Sequence, residues 1–412
     1  MSYRILSLDG FGVWALIEVK ALIALYDETT TGHQVLHDFD LIAGNSGGSI
    51  VLGALVADLS LGEILLLFKS QKIRNDIFSL SSLCNVAIHS ATEVISAISP
   101  RLDVSGIAPK YSTEHKFNAL RRVLQAPNGL LTGDVALSEV AKGIRNHSGE
   151  NGDVHLLITA FDYDLDRAVF FRSSAIKNVP QWGESSASEI TLAQAVHASS
   201  TAPVSYFDKP AEFDNHLPRY WDGAIAGVNN PVLAAVTEAV GKKQDPTTVA
   251  VLSIGTATLD LPPSKPGAPS SPLTKPLDEP GIITDLQKLA KAIIDDPPDI
   301  ATFLAHVMTG LCAGPNIRKS THADSRVVRM NPRITPEGLS SPSLTSQQRR
   351  VLAARDLDAI QPAQVDAIEK YAELWLADKA LNQPIRVSGK TREKELGQDL
   401  FSEAKAAWEA IR

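Results

Sequence analysis

Apolar runs and helically spaced apolar positions alternate from the first residues of this chain. Residues 4–8, Arg4-Ile5-Leu6-Ser7-Leu8, read as a short buried strand. Leu16, Val19, Leu22, Ile23 and Tyr26 then recur at the spacing of one helix face and predict a helix over 16–26. Phe39-Asp40-Leu41-Ile42-Ala43 repeats the strand pattern, and Ser49 to Ala57 repeats the helix with small and apolar residues. Strand, turn and helix twice in succession predict an α/β fold, with a mostly parallel sheet covered by helices. Val154 to Ala160 and Ala168 to Arg172 predict two more strands, joined by a polar turn at Asp162 to Asp166. Thr191 to Ser199 reads as a helix, Arg219 to Ala224 as a strand running into a sharp turn, and Pro231 to Val240 as a helix with proline in its first turn. Val249 to Gly255 is a further core strand.

The pattern breaks at Leu261 to Gly281, where seven prolines stand among Ser, Gly and Lys; a loop is predicted there. Beyond it, Ile282 to Ile294 and Ile300 to Leu311 read as helices and Ser325 to Met330 as a strand. Helical patterns dominate from Ser346 onward, with Val365, Ile368, Tyr371, Ala372 and Trp375 on one stripe. The expected organisation is an α/β core over 1–260, a Pro-rich loop over 261–281, and a mainly helical C-terminal region over 282–412 packed on the core. No internal repeat is present. Within Leu59 to Gly106 the run Ile64-Leu65-Leu66-Leu67-Phe68 precedes Lys69, Lys72 and Arg74, and Val86 to Ile98 forms a second amphipathic pattern. Such helices pack on a core or serve as a lid or membrane-facing surface; the pattern leaves both open.

The chain has 412 residues, a formal charge of −8, 44% hydrophobic and 21% charged residues, which is a globular composition. With this acidic balance and no basic stripe, nucleic acid is not an expected partner. Long-range attraction to anionic membranes is also disfavoured, so contact with a membrane or micelle would be local and apolar. Cys84 and Cys312 are too few for a disulfide framework. The chain enters its first strand without a charged-then-apolar leader, and its apolar stretches are too short to span a bilayer. The expectation is a cytoplasmic protein with room for peripheral membrane contact; export without a leader stays open. No H-E-x-x-H spacing occurs, and neither metal nor cofactor is expected.

Gly44-Asn45-Ser46-Gly47-Gly48 fits G-x-S-x-G between a predicted strand and a predicted helix. A tight turn in that place projects the serine at the end of the sheet, needs small neighbours, and sets the hydroxyl at a helix N-terminus that favours negative charge. Gly10-Phe11-Gly12-Val13 also follows a strand and opens a helix. A dinucleotide reading of that loop expects an acidic residue at the end of the next strand, but Asp27 and Glu28 close a helix. The other use of such a loop is a row of backbone donors for an oxyanion, and adjacent parallel strands would bring it to the same sheet edge as Ser46. For the base, His197, His306 and His322 all lie away from predicted strand ends. Asp222 stands at one, followed by Gly223, where a buried carboxylate could take a proton from serine.

The order of these motifs resembles the patatin-like phospholipases. The matching stretches are Asp9-Gly10-Phe11-Gly12-Val13-Trp14-Ala15, Gly44 to Gly48, and Asp222-Gly223-Ala224. Ala198 to Pro203, Asn229-Asn230-Pro231 and Ser253 to Thr256 are further stretches of likeness, so that it covers about residues 4–257. The resemblance implies a Ser46–Asp222 dyad working through an acyl-enzyme, without histidine or metal. It implies an oxyanion hole from the backbone of Gly10, Phe11, Gly12 and Val13, and a lipid ester as substrate: a phospholipid, galactolipid or acylglycerol. A rival expectation is a catalytically weak relative that binds lipid or membrane as a regulator. Phe11 stands where the family has glycine and Trp14 where it has a basic residue. Phe11 is expected either to tilt a donor peptide or to set an aromatic wall against an acyl chain. A positive φ there would cost phenylalanine about 1–2 kcal/mol.

Overall fold

The computed structural model describes residues 2–80, 109–147, 152–174, 190–203, 206–213, 218–267, 269, 271–277, 280–281, 288, 297–309, 325–383, 385–386 and 395–412. The helix expected over 86–98, all of 282–294 but residue 288, and Cys84, Cys312 and His322 lie outside these residues.

At the centre is strand β1 (Tyr3–Leu8), flanked by β2 (Leu41–Gly44) on one side and β7 (Val249–Ile254) on the other, both parallel to it. β3 (His155–Asp162) pairs parallel with β2, and β8 (Val327–Met330) pairs parallel with β7. Antiparallel strands finish the β3 side: β4 (Arg167–Arg172), β5 (Ala211–Glu212) and β6 (Arg219–Asp222). The order along the sheet is β5-β6-β3-β2-β1-β7-β8, with β4 paired to β3 off that path. This is the mostly parallel sheet that the alternating pattern predicts, with an antiparallel margin.

Because side chains alternate across a strand, β1 feeds two cores. Leu6 and Leu8 enter one with α1 (Leu16–Leu25), α2 (Ser46–Val56) and α3 (Leu61–Lys69). Ile5 enters the other, with Val232, Ala235 and Val236 of α7 (Val232–Gly241) and Ala301 and Ala305 of α8 (Pro297–Met308). Sheets buried on both faces carry continuous apolar strands rather than alternating ones, which is why β1, β2 and β7 read as runs. The apolar run 64–68 lies in α3, followed by α4 (Gln71–Ile77); Ile64, Leu65 and Phe68 pack on the core while Leu66 is 61% exposed. Two further helices matter for the site: α5 (Thr113–Val123) and α6 (Leu192–Ser199).

The C-terminal region ends in α9 (Ser346–Ala354), α10 (Pro362–Leu376) and α11 (Phe401–Ile411), and the stripe from Val365 to Trp375 is buried against the first core. Through β8 this region also contributes a strand to the central sheet. Within the Pro-rich loop, Leu261 is buried and Pro263 bridges to Lys275. Among the described residues no helix is long and apolar enough to cross a membrane.

Candidate active site

The register Leu8↔Gly44 ends β1 and β2 side by side, so the loop after Leu8 and the turn after Gly44 meet at one sheet edge. Ser46 opens α2 with φ 47°, a left-handed conformation that costs a non-glycine residue about 1–3 kcal/mol and that the tight strand-to-helix turn imposes. Its N–H donates to Ser199 Oγ at 2.9 Å, and its carbonyl accepts from Ser49 Oγ at 2.6 Å. Gly47 and Gly48 form the first turn of α2. A Cβ on Gly48 would come within 2.5 Å of Leu8 O, so only glycine lets the helix start this close to β1. Gly48 N–H donates to Asp9 O at 3.1 Å and ties the two turns together.

Asp222 ends β6 and Gly223 opens the turn after it. The structure brings Asp222 to the turn that carries Ser46: its carboxyl lies beside the Ser46 side chain, which acts to lower its proton affinity. Oδ1 also accepts from Ala224 N–H at 2.9 Å and from Asn45 Nδ2 at 3.2 Å. Burial pushes this carboxyl above the ordinary aspartate range, and the donors from Ser46, Ala224 and Asn45, with the charge of Lys116, pull the other way. Burial prevails, which makes the group a better proton acceptor than a free aspartate.

Of the four residues read as oxyanion donors, Gly10 is corrected. Its N–H donates to Asn229 O at 2.8 Å and is not available to a substrate. The Gly10 carbonyl accepts from Thr256 Oγ1 at 3.0 Å, so the loop is anchored at both atoms of this peptide position. The N–H groups of Phe11, Gly12 and Val13 make no hydrogen bond among the described residues. Gly12 has φ +54°, and a Cβ there would meet Leu357 O at 2.4 Å, so glycine is required on two counts.

Phe11 is corrected too. Its φ of 163° is extended backbone with no left-handed strain. Its ring is buried against Trp14, centroids 6.2 Å apart, with the Arg355 guanidinium 3.9 Å from its centre. It is not among the residues that line the cavity described below. Trp14 is fully buried and donates from Nε1 to Asp356 O at 2.8 Å. The residues after α9 therefore brace the loop from above.

Beside Ser46, Gly12 and Val13 opens a cleft with about 610 Å³ of empty space, counting the solvent at its mouth. Its walls are apolar and come from Ile50, Leu67, Phe68, Ile77, Phe78 and Val123. Lys116 also reaches this lining.

Several contributors went unread in the sequence. Asn45 takes a 2.6 Å bond from Thr159 Oγ1 and donates to Asp222, so the residue before Ser46 holds the Asp222 carboxyl in place. Arg329 clamps Asp9 at the start of the loop after β1. Lys116 is a charged residue on an apolar stripe, since Ala119, Leu120 and Val123 follow it at +3, +4 and +7. That spacing was a signal. His197 is buried against Phe117, and burial together with Lys116 holds its ring well below the usual histidine range. His306 pairs through Nδ1 with Ser325 Oγ at 3.0 Å. Among the described residues no group of three or more His, Cys, Asp or Glu side chains is placed to hold a metal ion.

The family model of the patatin-like phospholipases matches residues 6–236, more than half of the chain and every element of this site up to α7. The chain belongs to the patatin-like phospholipase family. By this membership it belongs among the lipid hydrolases, and its sheet and helices have the patatin-like α/β arrangement. No curated protein matches it. Among solved structures it is similar to VipD from Legionella pneumophila, at 12% identity and TM-score 0.35, over 99% of this chain and 74% of that one. A second is the type III effector ExoU, at 9% identity and TM-score 0.27, over 90% of this chain and 54% of that one. The full-length ExoU of Pseudomonas aeruginosa, solved in complex with SpcU, aligns at 13% identity and TM-score 0.25, over 75% and 53% of the two chains. The patatin-like chain thus spans about half the length of ExoU.

Proposed function

We propose that this patatin-like chain is a serine-dependent lipid acyl hydrolase with Ser46 as nucleophile and Asp222 as base. The observation that carries this reading is the contact of the Ser46 hydroxyl with a buried carboxyl whose proton affinity burial has raised. As Ser46 Oγ bonds to the ester carbon, its proton passes to Asp222. The carbonyl oxygen gains the negative charge and lies toward the unpaired N–H groups of Phe11, Gly12 and Val13, each such donor supplying about 10²–10³ in rate. The ester C–O bond then breaks, and the Asp222 proton leaves with the alcohol. Water attacks the acyl-Ser46 ester with Asp222 again taking the proton, the fatty acid departs, and Ser46 regains its hydrogen.

The apolar cavity suits an acyl chain, with the glycerol and headgroup left toward the mouth. Leu66 and Leu80 are exposed on the segments that wall it, offering a local apolar contact to a micelle or membrane without help from net charge. Labelling by a lipid-like fluorophosphonate, followed by a hydrolysis screen over phospholipids, galactolipids and acylglycerols, tests the reading. Labelling lost in Ser46→Ala, with ester turnover in the parent, supports it. Absence of both label and turnover would sink it and leave lipid binding without catalysis.

A further inference from the structure

Lys116 sits on α5 with its side chain almost wholly inside the protein, at the wall of the cavity that holds Ser46. A buried lysine is costly unless its charge is satisfied. Its Nζ lies 3.0 Å from His197 O, 3.2 Å from Ser200 Oγ and 2.6 Å from Thr201 Oγ1, at the C-terminal end of α6. The Phe207 ring lies 4.4 Å away on another side.

The protons around this nitrogen can be counted. Ser200 Oγ donates to Val196 O at 2.7 Å, and Thr201 Oγ1 donates to His197 O at 2.6 Å. A hydroxyl has one hydrogen, so both oxygens face Nζ with lone pairs, as the His197 carbonyl must. Three acceptors require three N–H donors. An ammonium has them; a neutral amine has two, and would fit only if Ser200 or Thr201 gave up its carbonyl bond and turned its hydroxyl hydrogen to Nζ.

The same helix end bears on the nucleophile. Ser199, one residue before Ser200, accepts the Ser46 N–H, and Thr201 O accepts the Asp222 N–H at 2.9 Å. Lys116 therefore grips the stretch of chain that holds the backbone of both Ser46 and Asp222.

We propose that Lys116 is a positioning residue, an ammonium whose charge balances the Asp222 carboxylate inside the apolar site while its three protons lock the end of α6. This rests on reading Ser46 and Asp222 as the reacting pair. Burial holds the Lys116 amine well below the usual lysine range and the charge of Asp222 acts against that, while the charge of Lys116 in turn lowers the proton affinity of Asp222. The other ionisable groups nearby do not replace it. His197, on α6, is held neutral by burial, Lys116 and Lys209. Asp208 is engaged by the N–H and hydroxyl of Thr113 at the start of α5. Arg74, across the cavity, donates to Phe68 O and Ile360 O. On the far side of Phe207, Asp358 is taken by Lys110 and Tyr111.

Removing the charge should make Asp222 harder to ionise. The test is the pH profile of kcat/KM on a soluble ester for the full chain, Lys116→Met and Lys116→Arg. In Lys116→Met the acid limb is expected to move up by about one pH unit or more, the size of effect of one nearby opposite charge. In Lys116→Arg it should stay near the parent value even if the plateau falls. A folded Lys116→Met protein whose acid limb does not move overturns the proposal, leaving Lys116 a packing residue. Should Lys116→Met not fold, the ζ-nitrogen resonance of Lys116 in ¹⁵N-lysine-labelled parent protein decides: an ammonium at the pH of highest activity upholds the proposal and a neutral amine overturns it. A parent protein that neither turns over ester nor labels at Ser46 defeats the dyad reading itself and takes this proposal with it.

Discussion

The Asp9 carboxylate and the Arg329 guanidinium, 320 residues apart in sequence, meet as a two-pronged buried ion pair under the donor loop, at 2.9 and 2.5 Å. Arg329 Nη1 also donates to Ser253 Oγ at 2.8 Å, so one side chain joins β8, β7 and the loop after β1. The charge of Asp9 holds Arg329 above the ordinary arginine range. The motif that opens with Asp9 is thus completed by a residue from beyond the Pro-rich segment.

Removing one partner of a buried pair strands the other charge. Arg329→Met should therefore lower the unfolding free energy by about 3–5 kcal/mol at pH 7. Asp9→Asn with Arg329→Met should cost less than the two single changes added together, because nothing charged is then left unpaired. Urea unfolding of the four proteins measures this; strictly additive losses would mean that the pair is not coupled.

Asp222 gives a prediction with opposite signs for activity and stability. Its proton affinity is raised in the fold, so activity should fall as pH drops through a value above that of an ordinary aspartate. For stability, the folded state holds its proton more tightly than the unfolded chain. Between the unfolded and folded pKa the slope is negative, so stability declines as pH rises through that window and the cost persists above it. Asp222→Asn should abolish ester hydrolysis, leaving less than about a tenth of the parent rate, as loss of such a base costs many decades. Its melting temperature at neutral pH should equal or exceed the parent value. Thermal melts and a soluble-ester assay on the same preparation check both signs, and an inactive variant that also melts much lower would mean that Asp222 holds the fold together.

The legible parts of this site are those written locally. Ser46, Gly48, Gly12 and Asp222 stand at strand ends where one backbone geometry is needed and few residues permit it. Lys116 and Arg329 carry their meaning in what lies opposite them, which no spacing along the chain states. Arg329 sits in Val327-Val328-Arg329-Met330, a strand buried throughout, and Lys116 on an apolar stripe; each is a charge where the pattern wants a hydrocarbon. Such misfits mark a buried partner without naming it. Gly10 shows the converse: its place in the loop was readable, but the loss of its N–H to Asn229 O depends on a turn more than two hundred residues away.

The division at the Pro-rich segment is a proposal that proteolysis can check. Among its described residues, the segment Leu261 to Gly281 makes few hydrogen bonds and exposes side chains such as Leu277. Dilute protease should cut there first. Because β8 lies in the central sheet and Arg329 holds Asp9, the two fragments should stay associated and keep their activity. First cleavage inside 2–80 would contradict the boundary.

Phe11 offers the sharpest conflict between motif and structure. A glycine at this position would relieve no strain, because the backbone is already extended. It would remove a ring held between Arg355 and Trp14 and free the loop that presents the Gly12 and Val13 N–H groups. Phe11→Gly should therefore lower stability by at least about 2 kcal/mol, as truncation of a buried aromatic does. Turnover should fall by the same factor on a soluble short-chain ester and on long-chain lipid, since the donors serve both and the ring touches neither. Parallel assays of the folded variant on the two substrates read the ratio. If turnover on the soluble ester holds while that on lipid alone collapses, Phe11 reaches the acyl chain during catalysis, and the cavity beside Ser46 extends farther toward the donor loop than its described walls indicate.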